Sequence, residues 1–191
     1  MVVMDSLNKE EKNYLLKLAV QAIKDGLQSK YRLPTKSSLP FSSLKEKKAC
    51  FVSLHCGEQL RGCVGHIEAT QPLYKDVYEN AQAAAFADPR FLPLENRELP
   101  YVQIEISLLS QPEELRGEKI DDRLKQIKPG IHGVIIDCFG RRATFLPQVW
   151  QDLPKKQDFL KHLCRKAFLP ENTWSDPKAK ISIYTIEKIA S

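Results

Sequence analysis

Apolar residues near the start of the chain recur at helical spacing. Leu7, Tyr14, Leu15, Leu18, Ala22 and Ile23 form one stripe, which predicts a first helix capped by Asp5 or Ser6 and ending near Asp25-Gly26. Residues 30–48 are polar and contain Pro34 and Pro40, the pattern of a loop. The period then changes. Ala49–His55 and Gln59–Val64 read as two strands joined by a turn at Cys56-Gly57-Glu58. Helical spacing returns after Thr70-Gln71-Pro72, in Leu73, Val77, Ala81, Ala84 and Ala85, and stops at Asp88-Pro89. The small alanines predict a close approach to a sheet. Tyr101–Leu109 alternates strictly, with Val102, Ile104, Ile106 and Leu108 on one face and Gln103, Glu105 and Ser107 on the other. A second hairpin is predicted from Val134–Asp137, Gly140-Arg141 and Ala143–Leu146. Gln157–Phe168 predicts an amphipathic helix whose apolar positions include Phe159, Leu160, Leu163 and Phe168, and Ile181–Ile186 a closing strand. Strands outnumber crossover helices. The expected class is therefore α+β, an antiparallel or mixed sheet flanked by helices.

Composition narrows this further. With 191 residues and 42% hydrophobic content, the chain is expected to form one domain or a larger and a smaller lobe. No apolar run reaches the length of a membrane span, and the N-terminus lacks the pattern of a signal peptide. Five cysteines (Cys50, Cys56, Cys63, Cys138, Cys164) without a CxxC pair fit reduced thiols in the cytoplasm rather than disulfides or structural zinc. The net charge of +5 is localised. Residues 141–191 hold 10 Lys/Arg against 5 Asp/Glu, and residues 1–140 hold 19 against 19. A basic end attracts polyanions, with Lys155-Lys156 and Arg165-Lys166 as its most available pairs, or is an ordinary solvated surface.

Leu60-Arg61-Gly62-Cys63-Val64-Gly65 carries the densest chemistry. On an extended strand, Arg61 and Cys63 point the same way, roughly 6.6 Å apart. A guanidinium at that distance favours a thiolate in a wet cleft, which makes Cys63 a candidate nucleophile; the other reading is a buried, inert thiol beside a salt-bridged arginine. His66 and His132 are candidate bases for Cys63. In Asp88-Pro89-Arg90-Phe91, Arg90 either offers its fork to a carboxylate or phosphate, or pairs locally with Asp88 capping the turn. Glu105, mid-strand on a polar face, is a solvated carboxylate or a proton-handling group. Neither a closed metal-ligand set nor a Walker or Rossmann glycine pattern occurs, and no cofactor is indicated.

Four motifs in order, LRGCVG, AQAAAFADPRFLPL (Ala81–Leu94), VQIEISLLSQP (Val102–Pro112) and ATFLPQVW (Ala143–Trp150), resemble the AMMECR-one family, also called AmmeMemoRadiSam system protein A. The resemblance spans nearly the whole chain. It implies a single domain over 1–191, with a smaller lobe around 113–170 and a cleft between the lobes. It places Cys63 and Glu105 as catalytic candidates and Arg61, Asp88 and Arg90 as substrate-binding candidates. It also implies company, a radical S-adenosylmethionine protein and a Memo-like protein, and hence an enzyme of a modification pathway on a small anionic or nucleotide- or RNA-like substrate. The rival is a non-catalytic module that grips a peptide, an RNA or a partner enzyme.

Overall fold

In the computed structural model, residues 6–117 and 119–190 are described, so a cap at Asp5 lies outside the described residues. The chain forms two compact units. The first contains residues up to 109 and those from 187, and the second contains residues 110–186. Each unit has its own four-stranded antiparallel sheet and its own apolar core. The fold is α+β, as the period changes predict.

In the first unit, helix α1 spans Lys9–Leu27. Its cap is Asn8, not Ser6. The Asn8 side chain accepts from the Glu10 and Glu11 amides while Glu11 returns a bond to the Asn8 amide, a complete capping box. Strands β1 (Cys50–Cys56) and β2 (Gln59–Gly65) form the first hairpin. Helix α2 (Leu73–Phe86) follows, then β3 (Val102–Leu109). The sheet order is β2-β1-β3-β8, where β8 is Ile186–Ala190. Ile104, Ile106 and Leu108 are buried together with Val52 and Leu54 against α1 and α2. The two helices are also tied by a buried polar bond, in which Tyr78 donates to Asp25 at 2.7 Å; Gln21, within α1, donates to the same carboxylate at 2.8 Å.

The closest packing is between α2 and β2. A Cβ on Gly62 would stand 2.0 Å from the Ala84 carbonyl oxygen, so the strand lies directly on the helix backbone. Ala81, Ala84 and Ala85 are buried there, as the alanine spacing predicts.

In the second unit, β4 (Glu113–Glu114), β5 (Gly133–Cys138), β6 (Arg141–Phe145) and β7 (Lys180–Tyr184) form a sheet in the order β4-β7-β5-β6. Helices α3 (Ile120–Gln126) and α4 (Lys156–Lys166) accompany it. Trp150 stacks on Phe159, with centroids 3.7 Å apart, and donates to the His132 carbonyl, which makes the FLPQVW stretch an anchor of this core. Two expectations are corrected here. The closing strand is two strands, because the chain leaves the second sheet after Tyr184 and enters the first at Ile186. Phe168 is not on the apolar face of a helix. α4 ends two residues earlier, and Phe168 is turned outward at positive φ.

Gly62→Ala is expected to lower the urea unfolding midpoint sharply, at or above the top of the about 1–3 kcal/mol range for overpacking. Gly57→Asn, at a turn with φ +61° and open space around it, is expected to change the midpoint little. Equal midpoints for Gly62→Ala and wild type would contradict the close approach.

Candidate functional site

Cys63, Glu105, Arg61, Asp88 and Arg90 all fall within the first unit. Three of them meet at the edge of its sheet. β2 is an edge strand, and both main-chain groups of Cys63 point away from β1. The Cys63 N–H donates to Asp88 Oδ2 at 2.9 Å, and its carbonyl accepts from Arg90 Nη2 at 3.4 Å. Asp88 and Arg90 are joined to each other, with Arg90 Nε on Oδ1 at 3.0 Å and Nη2 on Oδ2 at 2.7 Å. The turn after α2 thus presents an ion pair that continues the β-ladder with side chains. Asp88 is buried, and the Arg90 guanidinium beside it holds its carboxyl well below the usual carboxylate range.

On the face of the sheet opposite the apolar core, a row of directly paired residues crosses the strands. Ser53 in β1 faces Cys63 in β2 on one side and Glu105 in β3 on the other. Ser53 Oγ donates to Cys63 Sγ at 3.2 Å. Glu105 accepts from Lys188 of β8 at 3.1 Å, which completes the row. The Phe51 ring lies over Gly65, one position along the same face. Cys63 is half-buried, as is Cys56, whereas Cys50, Cys138 and Cys164 are buried, and burial pushes each of those three thiols up.

Arg61 does not join this row. β2 carries an irregularity in register between Leu60 and Gly62, which breaks the alternation that would have placed Arg61 beside Cys63. Its guanidinium grips Glu98, with Nε at 2.7 Å and Nη2 at 3.1 Å, and touches the Pro93 carbonyl. Arg61 in turn holds the Glu98 carboxyl below its ordinary range. The guanidinium on the Cys63 main chain is that of Arg90.

His66 is also committed elsewhere. Its Nδ1 lies 2.6 Å from the buried carboxylate of Asp76, which also accepts from the Cys50 amide at 2.9 Å and from Gln71 at 3.0 Å. His132 belongs to the second unit, where its Nδ1 accepts from the Lys128 amide at 3.2 Å. Among the described residues no group of three or more His, Cys, Asp or Glu could hold a metal ion, and no helix is long and apolar enough to cross a membrane.

Ser53, Asp76 and Lys188 are the residues the sequence reading missed. Ser53 was accessible in principle, since a hairpin turning at Gly57-Glu58 pairs it near Cys63; the irregular register hid the exact partner. Lys188 carried no local signal, because its partner Glu105 is distant in sequence, whereas Asp76 lies within ten residues of both Gln71 and His66.

Comparison with known proteins identifies the family and the fold. The AMMECR1 family profile matches residues 16–189, and the chain belongs to that family. It is 34% identical over 188 residues to Protein MK0488 of Methanopyrus kandleri, covering 94% of this chain and 88% of that one. It is also 34% identical over 176 residues to a protein of Methanothermobacter thermautotrophicus, covering 92% and 91%. The crystal structure of the uncharacterized protein PH0010 from Pyrococcus horikoshii matches with a TM-score of 0.86 at 32% identity, covering 95% of this chain and 92% of that one.

Asp88→Ala is expected to cost about 2–3 kcal/mol at neutral pH, since it leaves the Cys63 amide and the Arg90 fork unpartnered. The Asp88 carboxyl has a lower pKa folded than unfolded, so its contribution is full above the ordinary carboxylate range. It fades as pH falls through that range toward the folded value. Urea unfolding should therefore show the wild type and Asp88→Ala converging below about pH 4. A gap independent of pH would contradict the ion-pair clamp.

Proposed function

We propose that the chain is a thiol-dependent enzyme of a modification pathway, with Cys63 as its reactive group and a small anionic or nucleotide-like compound as its substrate. The observation that carries this reading is the fixed setting of Cys63. Its main chain is clamped by Asp88 and Arg90, its sulfur accepts a hydrogen bond from Ser53, and it is not fully covered. A nucleophile held in one orientation by its neighbours meets the geometric demand of covalent catalysis.

Glu105 stands two strand spacings from Cys63, about 10 Å. At that distance it acts on protons of a bound substrate or through Ser53, not directly on the sulfur. Anion recognition is assigned to Arg90 and Lys188. Both side chains are about half exposed, at 55% and 49%, although each already has a carboxylate partner. Arg61 supports the β2 edge through Glu98. The implied partners, a radical S-adenosylmethionine protein and a Memo-like protein, would supply or consume the modified group. The rival reading, a non-catalytic module for a peptide, an RNA or a partner enzyme, draws support from the internal pairing of both arginines.

Time-resolved alkylation with iodoacetamide, read cysteine by cysteine by mass spectrometry, tests the proposal. Cys63 is expected to react before Cys50, Cys138 and Cys164 and faster than Cys56, and Ser53→Ala should change the Cys63 rate alone. Reaction of Cys63 no faster than Cys56, with no effect of Ser53→Ala, would favour the binding module.

A further inference from the structure

Two phenylalanines of the second unit break the same local rule. Phe139 and Gly140 are the two residues of the β5–β6 turn, and both have positive φ, +52° and +72°. Turns of that kind favour Asn-Gly, because a bulky side chain at the first position is strained. Phe168 sits just past α4 with φ +56°. The Leu169 amide bonds the Cys164 carbonyl and the Phe168 amide bonds the Arg165 carbonyl, the bonding of a helix stop that ordinarily places glycine at this position.

Neither ring is hidden to compensate. Phe139 is 65% exposed and Phe168 83%. They are also linked. Arg141, which closes the turn holding Phe139, donates through Nη1 to the Phe168 carbonyl. Lys178 Nζ lies 6.0 Å from the centroid of the Phe139 ring. Arg141 thus ties the two turns that carry these exposed rings, an ammonium stands over one ring, and three of the four residues fall in the 141–191 stretch that holds the basic excess.

We propose that Phe139, Arg141, Phe168 and Lys178 form a binding site for single-stranded RNA, with bases stacking on the two rings and phosphates meeting the two cations. Stacking on aromatic rings beside cations is how unpaired nucleic acid is held without sequence readout. An anionic membrane is the less suitable occupant. Only two apolar side chains would enter it, and the Lys178 ammonium, 6.0 Å from the Phe139 ring centroid, would have to be carried in with that ring. Of the four residues in the pairs that the sequence alone marks for polyanion binding, three are engaged within the fold. Lys156 and Lys166 donate to the Leu124 and Thr144 carbonyls, and Arg165 holds Glu171. The four residues all belong to the second unit, and the proposal stands whether or not the thiol reading holds.

The test is fluorescence anisotropy of the full chain with a labelled, mixed-sequence single-stranded RNA of about twelve nucleotides at low salt. Phe139→Asn and Phe168→Gly supply the residues that the backbone prefers at these positions, so both variants should melt at or above the wild-type temperature. Wild type is expected to bind, with affinity falling as salt rises. Each variant should bind at least about fivefold more weakly, which is about 1 kcal/mol at 1.4 kcal/mol per tenfold. Duplex RNA of the same length, whose bases are not free to stack, should bind more weakly than the single strand. The proposal is overturned if wild type shows no binding at low salt, or if both variants bind like wild type. It is also overturned if the protein ignores RNA but is retained on vesicles of phosphatidylcholine and phosphatidylserine.

Discussion

The contact on which the first unit depends is the seating of strand β2 on helix α2. At Gly62 there is no room for a side chain between the strand and the Ala84 carbonyl. That proximity brings the end of α2, and the turn that follows it, alongside the outer edge of β2. Asp88 and Arg90 then reach the Cys63 main chain, and Pro93 and Glu98 reach Arg61. A bare strand edge is a template for unwanted pairing. Here it is closed by side chains of opposite charge, and the same closure fixes the one thiol that faces a row of polar residues.

This gives the two most distinctive motifs of the chain a shared physical reason. The glycines of LRGCVG permit close approach, to Ala84 at Gly62 and to the Phe51 ring at Gly65. The ADPR turn supplies the partners that such an approach requires. Neither Asp88 nor Arg90 has its charge free, so the ion pair is first of all architecture. A catalytic or binding role for this region rests on the partly exposed Cys63 and the Glu105–Lys188 pair, with the buried Ser53 between them.

Much of the fold was legible because the hydrophobic period changes cleanly. The strict alternation of Val102–Leu109 became β3, and the alanine spacing of Ala81–Ala85 became the helix–strand contact. The site was legible in its membership more than in its wiring. Cys63, Asp88 and Arg90 do meet. Arg61 was assigned to the wrong neighbour because a single irregularity in a hairpin, invisible in the sequence, breaks the alternation of a strand. Phe168 was misplaced for a related reason. Its apolar character fits the helical stripe, but the chain turns left-handed at this residue. Both misreadings extended a regular period beyond the point where the backbone stops obeying it.

The central claim is that Asp88 holds the outward amide of Cys63 in place of a neighbouring strand. Residue-resolved amide hydrogen exchange tests it most directly. The account predicts that the Cys63 amide is strongly protected although β2 is an edge strand, and that its protection collapses when Asp88 is removed while the Ile104 and Ile106 amides in β3 remain slow. A Cys63 amide that exchanges as fast as that of Glu58 in the hairpin turn would contradict it.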